Sequence, residues 1–277
     1  MAHVTKAWAF SYAIILHMSS IEELNAAAWD EEVSRHNWWT IPADEEKMAE
    51  ARKGHPEISL GPEKKLPDSW TRLIGKRVLA LASGGGQQGP ILAASGRDVV
   101  VFDISQRQLE QDRATAHKYS LRLETVRGDM ADLSVFGSAS FDTVINPVSL
   151  NFTAHIAQVI SEVVRVLKPG GHFMLSIANP VMYIFDVPAL ERGKMKIRYT
   201  LPFSSGKSLS ERQRARLASS GGTFEFSHTL DSVLGGLLHS GLVLLDYFSE
   251  KSGFEPVDSF IQDCYMTMLL LKPDDLS

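Results

Sequence analysis

Val78-Leu79-Ala80-Leu81-Ala82-Ser83-Gly84-Gly85-Gly86-Gln87-Gln88-Gly89 is the stretch that decides the fold. An apolar run of strand length passes straight into a glycine turn. Glycines there let the chain bend sharply and let backbone come close to a ligand. A flexible loop would look the same in isolation, so the setting carries the weight. Downstream, residues 99–102, 123–126, 141–145 and 172–177 are further short apolar runs. Helical periods fit between them, notably over 105–119 and 155–167. This alternation predicts an α/β fold with a parallel sheet covered by helices on both faces. Residues 242–248 and 265–271 are expected to close it as an antiparallel pair. The expectation is a doubly wound, mostly parallel, seven-stranded sheet that binds its ligand at the carboxyl ends of the strands.

Outward from this core the chain changes character. Residues 1–72 read as a helical lid or arm, and 73–277 as the ligand-binding domain. Within the arm, Ser19 or Ser20 can cap a helix that has Glu22 and Glu23 in its first turn. The aromatic run His36-Asn37-Trp38-Trp39 follows, then a charged helix over 44–53, then irregular chain marked by Pro56, Pro62 and Pro67. The apolar residues 7–18 are too short to span a bilayer, and no clean cleavage site follows them. They read as a leading helix, or as an upstream start before a natural start at Met18. Residues 180–224 form an insertion over the expected site, with Tyr183, Phe185 and Pro188 followed by a charged helix from Ser208.

Composition narrows the function. Across 277 residues the net charge is −5 and no basic stripe carries interleaved aromatics, which argues against nucleic acid. Hydrophobic residues make up 44%, enough for a core. Cys264 is the one cysteine, so no internal disulfide forms, as expected of a cytoplasmic protein. The nine histidines include no H-x-x-x-H pair, and no metal site is expected. The partner expected is a small molecule, with no membrane.

Two acids mark the ligand. Asp103 ends the second strand and can accept hydrogen bonds from both hydroxyls of a ribose. Alone it would read as a helix cap; beside the glycine loop, ribose binding is favoured. Asp129 in Gly128-Asp129-Met130 can take an adenine amino group, with Met130 and Ile104 against the base, or it is a turn residue. Leu167-Lys168-Pro169-Gly170-Gly171 stops a helix and turns into a strand.

In this order, and with Phe141-Asp142 between them, these motifs resemble the class I S-adenosylmethionine-dependent methyltransferases over about residues 75–180. The resemblance implies S-adenosylmethionine as ligand. Ser83, Gly84, Gly86 and Gln88 would then bind it, with Gly84 and Gly86 at the methionine chain. A nicotinamide enzyme would not account for the Lys-Pro-Gly-Gly turn. Two departures stand out. Ala80 occupies the place of an acid usual in the family, and Ala82 that of its first loop glycine. The acid helps hold the amino-acid end, so the α-amine here lacks that partner.

A sulfonium activates its methyl group, the ribose C5′ and the Cγ of the methionine chain; the nucleophile held in line decides which one reacts. Asn146, Tyr183 and Ser210 resemble in type and spacing the active-site set of azetidine-2-carboxylate synthases, enzymes of nonribosomal-peptide pathways that cyclise S-adenosylmethionine. By that resemblance Tyr183 faces the sulfonium, while Asn146 and Ser210 fold the amino-acid end back. The residues have plainer readings: a turn residue, a core aromatic and a helix cap. Methyl transfer to a small-molecule O, N or C nucleophile is the alternative reaction, and a non-catalytic binding protein the other. In the methyl-transfer reading His228 and Asp231 would be base and orienter, unless they only cap and pack a helix start. Trp38, Trp39 and Phe203 are candidates to exclude water, and His36 to face a substrate or sit in the lid. Cys264 is expected to be a buried strand residue.

Overall fold

The computed structural model describes residues 20–274. The expectations for residues 1–17, for the apolar run 7–18 and for Ser19 lie outside the described residues. Seven strands form one sheet: β1 (Arg77–Leu81), β2 (Asp98–Asp103), β3 (Glu124–Arg127), β4 (Phe141–Asn146), β5 (Leu167–Ala178), β6 (Val243–Glu250) and β7 (Tyr265–Leu271), in the order β3-β2-β1-β4-β5-β7-β6. β1 to β5 pair in parallel, and β7 runs antiparallel to both β5 and β6. The strand order reverses between β1 and β4, and such sheets bind ligands in the crevice at that point.

Alternate residues of β1 feed two cores, as a pleated strand requires. Leu79 and Leu81 face a cluster with Phe102, Val144 and the stripe Ile156, Val159, Ile160, Val163. Those four sit three and four apart on one face of the helix Ile156–Val166. Val78 and Ala80 face the other cluster, with Ile91, Leu92 and Leu109. Residues between 43 and 74 join that second cluster through Met48, Ala51, Ile58, Leu60 and Trp70. Trp70 is 1% exposed, and burying a side chain of its class contributes roughly 2–3 kcal/mol. Residues 43–74 therefore pack into the core, whereas the described helix before them lies over the strand ends.

The lid helix α1 (Ile21–Ser34) starts with a reciprocal cap: Glu23 N–H donates to Ser20 Oγ at 3.2 Å and Ser20 N–H to Glu23 Oε2 at 3.0 Å. Asn25 anchors it. Its Nδ2 donates to the carbonyls of Phe152 (3.0 Å) and Phe224 (2.9 Å), and its Oδ1 accepts from Phe224 N–H at 2.7 Å. Asp30 accepts from Ser105 Oγ at 2.6 Å and Arg107 N–H at 3.0 Å. These bonds fasten α1 across the carboxyl ends of the strands. The charged helix expected near 44–53 is α2 (Glu45–Arg52), capped by Asp44.

Candidate active site

The ends of β1 to β4 open on one cavity of 260 Å³. Ser83 and Gly84 line it beyond β1, Asp103 and Ile104 at β2, Asp129 and Met130 beyond β3, and Pro147 to Ser149 beyond β4. Glu22, Asn25 and Trp29, at helical spacing on α1, form the opposite wall. Tyr183 and Glu225 close one side from the chain after β5.

The glycine loop is held by two buried carboxylates. Asp103 Oδ2 accepts from Gly84 N–H at 2.9 Å, and its Oδ1 from Ser105 N–H at 2.8 Å. Burial pushes its carboxyl up to about 6, against the pull of those N–H groups. Asp112 lies on the following helix (Gln106–Lys118) and accepts from Gly85 N–H at 3.0 Å and Gly86 N–H at 3.1 Å. Burial first, and then the charge of Asp103, push Asp112 well above the ordinary carboxylate range. A Cβ at Gly84 would lie 2.7 Å from Gln108 Cβ, so the close approach there needs glycine.

This geometry corrects one expected ligand. Gly86 turns its N–H to Asp112 and does not line the cavity. Ser83, Gly84 and Gln88 do, and Ser83 Oγ donates to Gln88 Oε1 at 3.1 Å. Ala82 takes the left-handed φ of +46° that its place in the turn demands, while its N–H donates to Phe102 O at 2.7 Å. A Cβ in that region costs about 1 kcal/mol. Ala82→Gly is therefore expected to raise stability by roughly 0.5–1 kcal/mol and the melting temperature by about 1–4 °C. Thermal unfolding of the two proteins checks it.

Tyr183 lines the cavity. Its ring stacks on Phe203 with centroids 5.6 Å apart, and its hydroxyl donates to Glu225 Oε2 at 2.6 Å. Burial, then the Glu225 charge, push the phenol well above its usual value. Tyr183 stays protonated and is no base. Glu225 also accepts from Thr223 Oγ1 at 3.1 Å and Asn151 Nδ2 at 3.4 Å.

Asn146 and Ser210 are not beside Tyr183 in the cavity wall. Asn146 is fully buried under the floor. Its Nδ2 donates to Leu81 O and Ser149 Oγ, both at 2.8 Å, and thereby ties the end of β4 to β1. Its hydrogen-bond partner Ser149 lines the cavity. Ser210 is exposed and caps the helix Glu211–Ser219 reciprocally with Gln213. A cap engaged in this way has its hydroxyl committed to the helix end.

The remaining candidates sort in the same way. His228 is part-buried, and its Nε2 meets Leu150 O at 3.0 Å and Thr153 O at 2.9 Å. It braces the turn that carries Asn151 and Phe152; burial lowers its pKa. Asp231 is exposed, and the pair is not a base with its orienter. Trp39 lines the cavity, whereas Trp38 stacks on it from outside at 52% exposure. His36 is exposed. Cys264 is buried immediately before β7, and burial raises its thiol.

The lining contains the carboxylates of Glu22, Asp103, Asp129 and Glu225, and no Lys, Arg or His. Such a wall favours a cationic ligand. Among the described residues, no group of three His, Cys, Asp or Glu is placed to hold a metal ion.

Residues 79–175 match the family model described as a methyltransferase domain. The chain is 37% identical over 238 residues to the uncharacterized methyltransferase YbaJ of Bacillus subtilis, covering 86% of this chain and 93% of that protein. It belongs to the class I S-adenosylmethionine-dependent methyltransferase family. The fold of this family member is also that of an S-adenosylmethionine-dependent methyltransferase from Mesorhizobium loti (TM-score 0.57, 20% identity, 74% of this chain and 93% of the other). A second, from Clostridium acetobutylicum, aligns over 88% of this chain and 96% of its own (TM-score 0.53, 15% identity). The methyltransferase-fold enzyme is S-adenosylmethionine-dependent, and the acidic cavity at its strand ends suits a cationic ligand. No helix among the described residues is long and apolar enough to cross a membrane.

Proposed function

We propose that this enzyme closes S-adenosylmethionine on itself, giving azetidine-2-carboxylate and methylthioadenosine. The observation that carries the reading is the aromatic face of Tyr183 on a wall that holds four carboxylates and no Lys, Arg or His. Such a wall suits a sulfonium and offers no imidazole base to a separate acceptor. In this reading Asp103 takes the ribose hydroxyls, Asp129 with Met130 and Ile104 the adenine, and Ser83, Gly84 and Gln88 the methionine chain. Tyr183 presents its ring to the sulfonium. The folded chain brings its own amine in line with the Cγ–S bond, and such orientation supplies much of the rate.

Methyl transfer to a small molecule is the second reading. It is favoured by the relatives, whose names are those of methyltransferases. One measurement separates the two. Purified protein given S-adenosylmethionine alone is expected to yield methylthioadenosine and the ring amino acid in equal amounts, above the uncatalysed background. Methylthioadenosine at background, with S-adenosylhomocysteine formed once acceptors are added, would establish methyl transfer instead.

A further inference from the structure

The cavity has four carboxylates, and three are accounted for by position. Asp103 holds the glycine loop at the ribose end. Asp129 follows β3 and accepts from Ala131 N–H at 3.0 Å. Glu22 lies on the lid with His155 Nε2 3.8 Å from its carboxylate. Glu225 is the one set beside Tyr183, where the reacting end is placed. Ala80 is fully buried in the apolar cluster behind β1 and offers nothing polar. Glu225 is also built into place. Tyr183, Asn151 and Thr223 donate to its carboxylate, and its own N–H donates to Ser205 Oγ at 2.9 Å. Among the described residues no Lys or Arg forms an ion pair with it, and the donors they give it are neutral. A carboxylate oriented in this manner is a receptor for a cation.

We infer that Glu225 binds the α-ammonium group of the adenosyl ligand, in place of an acid on the first strand. The inference rests on S-adenosylmethionine as ligand, and it deepens the ring-closing reading. There Glu225 takes one proton from the ammonium and becomes a neutral acid. The freed nitrogen pair forms the N–Cγ bond, while the Cγ–S pair passes to sulfur and methylthioadenosine leaves uncharged. The ring departs as a secondary ammonium, and Glu225 returns its proton to water. Tyr183 keeps its own proton throughout and fixes the carboxylate.

Binding of three probes tests this without turnover: S-adenosylhomocysteine, its analogue lacking the α-amine, and methylthioadenosine. The natural protein should hold S-adenosylhomocysteine at least about tenfold more tightly than the analogue. Glu225→Gln should bind the two alike and bind methylthioadenosine as before, which also reports that it is folded. Its release of methylthioadenosine from S-adenosylmethionine should fall about 100-fold or more. Equal affinity of the natural protein for the two amine-differing probes would overturn the inference, whatever the variant does. So would a variant that still prefers the amine. Amine preference that depends on Glu225, in a protein that releases no methylthioadenosine, supports the amine site and sinks the ring-closing reading alone.

Discussion

Replacing Asp103 by Ala is expected to weaken S-adenosylmethionine binding by about 100-fold or more. The carboxylate is buried, and a ligand's two ribose hydroxyls would each donate to it; hydrogen bonds to a charged group contribute about 1.5–3 kcal/mol apiece. The same change leaves Gly84 N–H without its 2.9 Å acceptor, so the loop loosens as well. The wild-type protein should show a matching pH dependence. With its carboxyl pushed up to about 6 by burial, the unliganded site takes up a proton as pH falls through that value. A protonated Asp103 cannot accept both hydroxyls. Kd should therefore be flat above about pH 7 and rise up to about tenfold per unit below about pH 6. Titration calorimetry across that range reads both effects; an Asp103→Ala protein that keeps the pH slope would place the titrating group elsewhere.

Tyr183→Ala is expected to slow turnover of S-adenosylmethionine by about 30-fold or more while weakening its binding by less than about tenfold. In the ring-closing reading the positive charge spreads from sulfur toward nitrogen, and an aromatic face beside that axis follows it. The Tyr183 ring is backed by Phe203 at 5.6 Å. Tyr183→Phe retains the ring and loses only the hydroxyl at Glu225, so it should keep more of the rate than the alanine variant. Single-turnover rates set against equilibrium affinities check this. Equal losses in both quantities for Tyr183→Ala would reduce the residue to a binding contact.

The sheet was largely legible in the sequence because buried parallel strands are unbroken apolar runs. β7 falls at residues 265–271, as its pattern predicts, and β1 is Arg77–Leu81, one residue off at each end from the apolar run 78–82 that precedes the glycine turn. β5 differs most: its pairing begins back at Leu167, because the Lys-Pro-Gly-Gly turn continues along β4 with a shift of register near Phe141. Site residues placed by strand ends, such as Asp103 and Asp129, were legible for the same reason. Residues whose role depends on the path of irregular chain were not. Ser210 lies in the insertion, and its side chain turned out to serve its own helix. Asn146 sits at the expected strand end but points below the cavity floor. Asp112 was hidden in a segment of Gln, Arg, Glu and Asp that looks solvated; only its alignment with Gln108 and Thr115 on one buried face betrays it. Asn25, among alanines, and Glu225, between two phenylalanines, give no local signal of the partners they meet across the fold.

The all-acidic lining also bears on how a cycle ends. Chemistry at the sulfonium turns a charged adenosyl thioether into a neutral one. The walls that attract the reactant then have no charge on that sulfur to attract, and no cationic side chain among them offers the leaving thioether a substitute. Spent adenosyl product is therefore expected to bind more weakly than S-adenosylmethionine, and equilibrium titration of the protein with each compound checks it.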